Sequence, residues 1–327
     1  MMADELDRLD TEGRLPEAAD LDRMSTLEQL ELMGRQDRMA VEAVAAARNQ
    51  LARAVDLAAE RLRLGGRLVE LGAGTPGRLA VLDAAECGPT FGVDERVIAV
   101  MAGGSDAVRN AIERSEDDFD LGVTDVRNLD MGPDDVLVAV SASGRTPYVL
   151  GAVEVARAEG ALTIAVVNNP GSALASICDV AVEALTGPEI ISGSTRLKAG
   201  TAQKLVLNTI STLVMVRLGR TYGDLMVDVR ASNAKLRRRA QRIVMEATGA
   251  SEAEVAAALE AAGGEAKVAL VMLLAGVDAA AARTRLAAAG GHVRQAAAGL
   301  ITFSMLVGAV PGACAWCSAD RPAERDH

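Results

Sequence analysis

Residues 72–92 read GAGTPGRLAVLDAAECGPTFG, and the fold turns on this stretch. It follows an apolar run, Arg67–Leu71, and places Gly72, Gly74 and Gly77 within six positions. A glycine-rich turn that opens a helix offers backbone N–H groups and the positive helix end to an anion. Glu86 follows about two helical turns on, close enough for a carboxylate to move protons on whatever carries that anion. Gly88-Pro89 are expected to end the helix and leave Glu86 at a boundary. Pro76, inside the turn, brings neither an N–H nor a hydroxyl.

Outward from this turn, five short runs rich in Val, Ile and Leu read as strands: Arg67–Leu71, Val97–Ala102, Val136–Val140, Leu162–Val167 and Val180–Ala184. Helical patterns separate most of them. Near-continuous apolar strands alternating with helices imply an α/β fold, a five-stranded parallel sheet flanked by helices, with ligands at the carboxyl ends of the strands. Residues 26–64 read as helical, with Leu27, Leu30, Leu32 and Met33 at helix spacing. The segment from Thr201 to Leu218 has no breaker and predicts one long, largely buried helix. Past residue 245 the chain turns to short Ala-rich helices, with an echo between Leu259–Gly264 and Leu286–Gly291. Two copies are too few for a solenoid, so a small helical domain is expected. The division is 1–55, an N-terminal helical segment; 56–220, the sheet domain; 221–298, the C-terminal helical domain; and 299–327, a tail.

A dinucleotide site would want an acid at the end of the second strand. That strand ends in Met101-Ala102-Gly103-Gly104, which argues against NAD. The loop Ser141-Ala-Ser-Gly-Arg-Thr-Pro147 follows the third strand, with Pro147 set to start a helix. An ordinary N-cap needs one hydroxyl. This loop supplies Ser141, Ser143 and Thr146 with Gly144 and Arg145, a set suited to a phosphate monoester. A third loop, from Gly187, carries Glu189, Ser194, Arg196 and Lys198. The acidic run Glu113, Glu116, Asp117, Asp118 and Asp120 has a solvated face as its plain reading. Histidine is scarce, so carboxylates are the natural agents of proton transfer.

The net charge of −11 and few aromatic residues argue against a nucleic-acid partner. No run of about 18 apolar residues suggests a membrane span, and the acidic N-terminus has no hydrophobic leader; a cytoplasmic protein is expected. Cys314 and Cys317 make a C-A-W-C pair in the tail, where only His292 and His327 could add histidine ligands; no metal is expected.

Together these residues resemble the N-acetylmuramic acid 6-phosphate etherases of the sugar-isomerase (SIS) superfamily, over residues 11–298. The resemblance runs through Thr11-Glu12, Ala19-Asp20-Leu21, Ser25-Thr-Leu-Glu28, GAGTPGR, DAAECGPTFG, SASGRTPY, GPEIISGSTRLKAGTAQK, Leu225–Val229 and Asn233. The run Gly187–Lys204 is also similar to the glucokinase regulatory proteins. It implies a cofactor-free lyase that cleaves the lactyl ether of N-acetylmuramic acid 6-phosphate, giving N-acetylglucosamine 6-phosphate and D-lactate in cell-wall sugar recycling. The family pattern implies Glu86 as proton donor and Glu116 as second catalytic residue. Gly74, Thr75, Gly77, Arg78, Ser141, Ser143, Gly144, Arg145, Thr146, Glu189, Ser194 and Lys198 would hold the sugar phosphate. A homodimer, with the site near the subunit interface, and a UBA-like C-terminal domain are also implied. The family has serine where this chain has Pro76, asparagine for Leu15 and proline for Gly88, and ends before residue 299. Losing the serine is expected to weaken binding about ten- to a hundredfold. A sugar-phosphate sensor without catalysis, and an aldose–ketose isomerase on the same fold, are the competing readings.

Overall fold

β1 (Leu68–Gly72) lies at the heart of a parallel sheet with β2 (Val97–Met101) on one side and β3 (Val136–Ser141) on the other. β4 (Leu162–Val167) and β5 (Val180–Glu183) complete the order β2-β1-β3-β4-β5. The structure is a computed structural model and describes residues 9–93, 95–110, 112–228 and 234–298. Val229, Asn233 and the tail with Cys314 and Cys317 lie outside the described residues.

Side chains alternate along each strand, so each strand feeds two cores. Leu68, Val138 and Ile164 face a layer that includes α2 (Arg48–Arg63) and α8 (Lys198–Arg217). Val69, Leu137 and Ala165 face the opposite layer, where α6 (Pro147–Ala158) packs Tyr148, Val149 and Ala152. Burial on both faces explains why the strands are near-continuous apolar runs.

The predicted helical stretch 26–64 is two helices, α1 (Thr26–Ala46) and α2, meeting at Ala47. Ser25 and Glu28 form a capping box that starts α1. Its buried face is Leu32, Gln36, Ala40 and Ala43, whereas Leu27, Leu30 and Met33 are exposed.

α3 (Gly74–Phe91) passes through Gly88-Pro89 and ends only at Gly92, whose φ of 67° closes it in the left-handed conformation. Proline cannot donate to the Ala85 carbonyl, but the loss falls in the last turn, and Thr90 Oγ1 donates to the Glu86 carbonyl at 2.8 Å. Glu86 is therefore a surface residue within a helix, not at its boundary.

From β2 the chain runs through α4 (Gly104–Arg109) and α5 (Phe119–Arg127) to β3; α7 (Ala173–Ile177) joins β4 to β5. After α8, a short hairpin of β6 (Thr221–Tyr222) and β7 (Leu225–Met226) leads to α9 (Ala234–Thr248), α10 (Glu252–Ala261), α11 (Ala266–Ala275), α12 (Ala279–Ala288) and α13 (Val293–Ala297). These helices share a separate core around Val244, Val255, Leu270 and Leu286. The echoed Gly-Gly pairs, 263–264 and 290–291, all have positive φ and turn the chain after α10 and α12.

Candidate active site

The sheet order reverses between β1 and β3: β1 leads outward to β2, and the chain returns to place β3 on its other side. Gly72 is in register with Val140, so the loops after β1 and β3 leave the sheet side by side. A crevice at such a switch point is where α/β sheets bind ligands.

The first wall is the start of α3. Ala73 is its extended N-cap with no side-chain cap bond, and Gly74 has φ 60°. Pro76 is the third helical residue, where its missing N–H belongs to a turn with no intrahelical partners. It costs the helix nothing, but it leaves the crevice with fewer donors.

The second wall is the serine loop. Ser141 Oγ lies 2.8 Å from Thr146 Oγ1 and 3.3 Å from Ser143 Oγ. Gly144 N donates to Ser141 Oγ and Arg145 N to Ser143 Oγ. Thr146 is the N-cap of α6 but makes no side-chain cap bond. The hydroxyls hold one another and the loop backbone, which is not the pattern of an ordinary cap.

Glu116 joins the walls. Its carbonyl accepts from Tyr148 N, in the first turn of α6, at 3.1 Å. Its Oε2 lies 3.9 Å from where a β-carbon on Gly74 would stand. The neighbouring Asp118 accepts from Leu121 N as the N-cap of α5. The acidic run thus divides into a capping residue and a carboxylate exposed at the crevice.

Three expected ligands have other duties. Arg78 donates through Nε to the Val108 carbonyl and through Nη2 to the carbonyls of Ala107 and Asn110, holding the end of α4. Glu189, buried, accepts from Lys198 N and Ala199 N and occupies the N-terminus of α8 itself. Burial raises its pKa, against the pull of those N–H groups and the Lys198 charge. Lys198 is also buried and donates through Nζ to Gln36 Oε1 at 2.6 Å; burial lowers its pKa, partly offset by Glu189 and Glu17. Ser194 sits half-buried in the turn before α8. That helix start still borders the crevice, since a β-carbon on Gly200 would meet Thr75 Cγ2 at 3.4 Å.

Glu86 lies elsewhere on α3. Twelve residues from Gly74, it is about 18 Å along the helix axis. It lines a cavity of about 370 Å³ with Asp83, Cys87, Asn208, Ser211 and Asp224. In a single chain, the two expected catalytic carboxylates do not meet.

A buried amide network was not anticipated. Asn169 donates to the Ala142 carbonyl and to Thr11 Oγ1, and accepts from Thr11 N. Gln203 donates to Asn168 Oδ1 at 2.8 Å. These bonds tie the N-terminal segment and α8 to the end of β4 and the serine loop. The pair Asn168-Asn169 directly after an apolar run was the available signal.

Among the described residues, no helix is long and apolar enough to cross a membrane. Residues 50–157 match the glucokinase regulatory protein N-terminal SIS domain, and residues 124–213 the SIS domain. N-acetylmuramic acid 6-phosphate etherase of Rubrobacter xylanophilus is 58% identical over 90% of this chain and 98% of its own length. The etherase of that name from Streptomyces avermitilis is 53% identical, over 90% and 95%. That from Deinococcus radiodurans is 54% identical, over 87% and 94%. Among solved structures, a phosphoheptose isomerase from Francisella tularensis is similar with a TM-score of 0.48 and 20% identity, covering 59% of this chain and 100% of that one. With a parallel SIS sheet and such identity along nearly its whole length, the chain belongs to the N-acetylmuramic acid 6-phosphate etherase family.

Proposed function

We propose that this protein is a lyase that releases D-lactate from N-acetylmuramic acid 6-phosphate in cell-wall amino-sugar recycling. The observation that carries this reading is a carboxylate, Glu116, set beside the glycine turn and tied to the serine loop at the switch point of the sheet. The start of α3 (Gly74, Thr75, Gly77) and the serine loop (Ser141, Ser143, Gly144, Arg145, Thr146) hold the phosphate. Arg78, Glu189 and Lys198 support those walls from behind, and Ser194 closes the rim.

In the open-chain sugar, the C2 proton is acidified by the C1 aldehyde. A carboxylate removes it, the C2=C3 double bond forms, and the C3–O bond breaks. The departing oxygen takes a proton and leaves as lactate. Water then adds its hydroxyl to C3 and a proton to C2, giving N-acetylglucosamine 6-phosphate. Glu86 is the proton donor and Glu116 the second acid–base group.

The separation of Glu86 from Gly74 calls for a second copy of the chain. In the homodimer we propose, Glu86 of one protomer faces the crevice of its partner. Exposed Leu82, Leu213 and Val216 near Glu86, and exposed Ile112 and Phe119 near Glu116, support an apolar interface around both. The division into segments 1–55, 56–220, 221–298 and 299–327 belongs to the same proposal, as does a cytoplasmic location, which suits a charged, membrane-impermeant sugar phosphate.

The test is lactate release from N-acetylmuramic acid 6-phosphate, followed enzymatically. Release that is lost in Glu86→Gln and in Glu116→Gln is the expected result. Tight binding without lactate would overturn the lyase reading in favour of a sensor.

A further inference from the structure

Glu70 is a carboxyl in the wrong place. It sits in the middle of β1, between Leu68 and Gly72, on the sheet face covered by α3 and α8. It is 0% exposed, and neither Oε1 nor Oε2 receives a hydrogen bond. An ionised carboxylate left so would carry an uncompensated desolvation penalty. The neighbouring strands cannot help: β2 and β3 carry no ionisable side chain.

The polar group that Glu70 faces is the carboxyl of Asp83, itself buried on α3. Asp83 Oδ1 accepts a short hydrogen bond from Asn208 Nδ2 of α8, and Cys87 Sγ lies 3.9 Å from Oδ2. The titratable groups around Glu70 are therefore Asp83 and Cys87, both on α3. α8 presents neutral Asn208 to Asp83 and neutral Ser211 to Cys87. Among the described residues no cation faces the pair, so two carboxylates can coexist here only with a proton between them.

We propose that one proton shared between Glu70 and Asp83, with Asn208 on the outer oxygen, locks α3 against β1 and α8 and thereby aims Glu86. Glu86 is three residues beyond Asp83, a neighbour on the helix surface, and both line the same cavity. A small rotation of α3 would swing Glu86 away from the substrate while leaving the phosphate turn at the helix start in place. Glu70 and Asp83 are thus positioning residues that act through Glu86, and the inference rests on the reading of Glu86 as proton donor.

The shared proton has a signature of its own. Burial, then the Asp83 charge, push Glu70 well above its ordinary value of 4.5. Above that value the folded protein keeps a proton that the unfolded chain releases. Stability therefore falls as pH rises through the window between the unfolded and folded pKa values.

The experiment compares Glu70→Ala, Glu70→Gln, Asp83→Ala and Glu86→Gln by kcat, KM and thermal unfolding across pH. Glu70→Ala and Asp83→Ala should lower kcat about ten- to a hundredfold with KM within about twofold. Glu70→Gln keeps a donor toward Asp83 and should recover most of that kcat. Its Tm should exceed the parent's at neutral pH and lose the parent's decline as pH rises above the ordinary value of 4.5. Equal loss in Glu70→Gln and Glu70→Ala, or a parent-like decline of Tm in Glu70→Gln, would overturn the shared proton. A parallel rise in KM would overturn the aiming role. If Glu86→Gln still releases lactate, the reading of Glu86 fails, while the Tm comparison still decides whether Glu70 and Asp83 share a proton.

Discussion

The Glu116 carboxylate stands 3.9 Å from the point where a β-carbon on Gly74 would lie, while its own carbonyl accepts the Tyr148 N–H at the start of α6. One residue thus spans the two helix starts that bound the crevice. Gly74 is constrained there by its φ of 60°, while a β-carbon would make only ordinary contact with that carboxylate. Gly74→Ala should cost about 1–2 kcal/mol of backbone strain and shift the turn that faces Glu116. The expected result is a fall in kcat/KM of about tenfold or more, with a folded protein by circular dichroism.

Pro76 gives a prediction with two opposite signs. As the third residue of α3 it needs no N–H for the helix, so serine fits without rearranging the turn. Pro76→Ser adds a backbone donor and a hydroxyl beside the phosphate, and KM should fall about tenfold or more. The unfolded chain gains freedom at the same time, so stability should drop by about 0.4–1 kcal/mol. Unchanged affinity would mean that the phosphate is not held at this turn.

The sheet was legible because both of its faces are buried, which leaves runs such as Val136–Val140 with no polar alternation to confuse. The crevice loops were legible because glycines and hydroxyls cluster directly after such runs. Charged side chains were not. Glu189 and Lys198 sit in a polar loop, and a carboxylate that caps a helix nine residues later has the same local sequence as one that binds substrate. Arg78 looked like a phosphate ligand for the same reason, because nothing nearby in sequence announces the carbonyls at the end of α4. Glu86 was legible as a residue type but not as a place, since the helix outlasts Gly88-Pro89. Glu70 and Asn169 escaped notice because their partners, Asp83 and Thr11, are distant in sequence and only the fold brings them near.

Asp135 sets the pH response at the opposite end of the sheet. It accepts from Arg67 N at 2.7 Å, from Arg67 Nη2 at 2.6 Å and from Gly132 N at 3.1 Å. Burial pushes its carboxyl up, but the Arg67 and Gly132 donors outweigh it and leave the pKa below the usual 3.8. A depressed carboxylate contributes stability above its unfolded pKa, and that contribution is lost as pH falls through the folded value. Asp135→Asn should therefore lose about 1.5–3 kcal/mol at neutral pH in denaturant titrations. The gap to the parent should narrow as pH falls below the ordinary value of 3.8.

Mixing two inactive variants tests the shared site most sharply. Glu86→Gln and Glu116→Gln homodimers each lack one carboxylate in every site. In a heterodimer, if Glu86 serves the partner's crevice, one site carries both substitutions and the other carries both native carboxylates. Random exchange of equal amounts makes half the dimers mixed, each with one working site, so lactate release should return to about a quarter of the parent's. A site built within one chain predicts no recovery, because each chain would still lack a carboxylate. The recovered rate should appear only after subunit exchange, by mild denaturation and refolding or by co-expression. It should carry the parent's KM, since the restored site is wholly native. Failure to recover in dimers proven mixed by mass spectrometry would place Glu86 and Glu116 in the same protomer's site, and α3 would then have to move to bring them together.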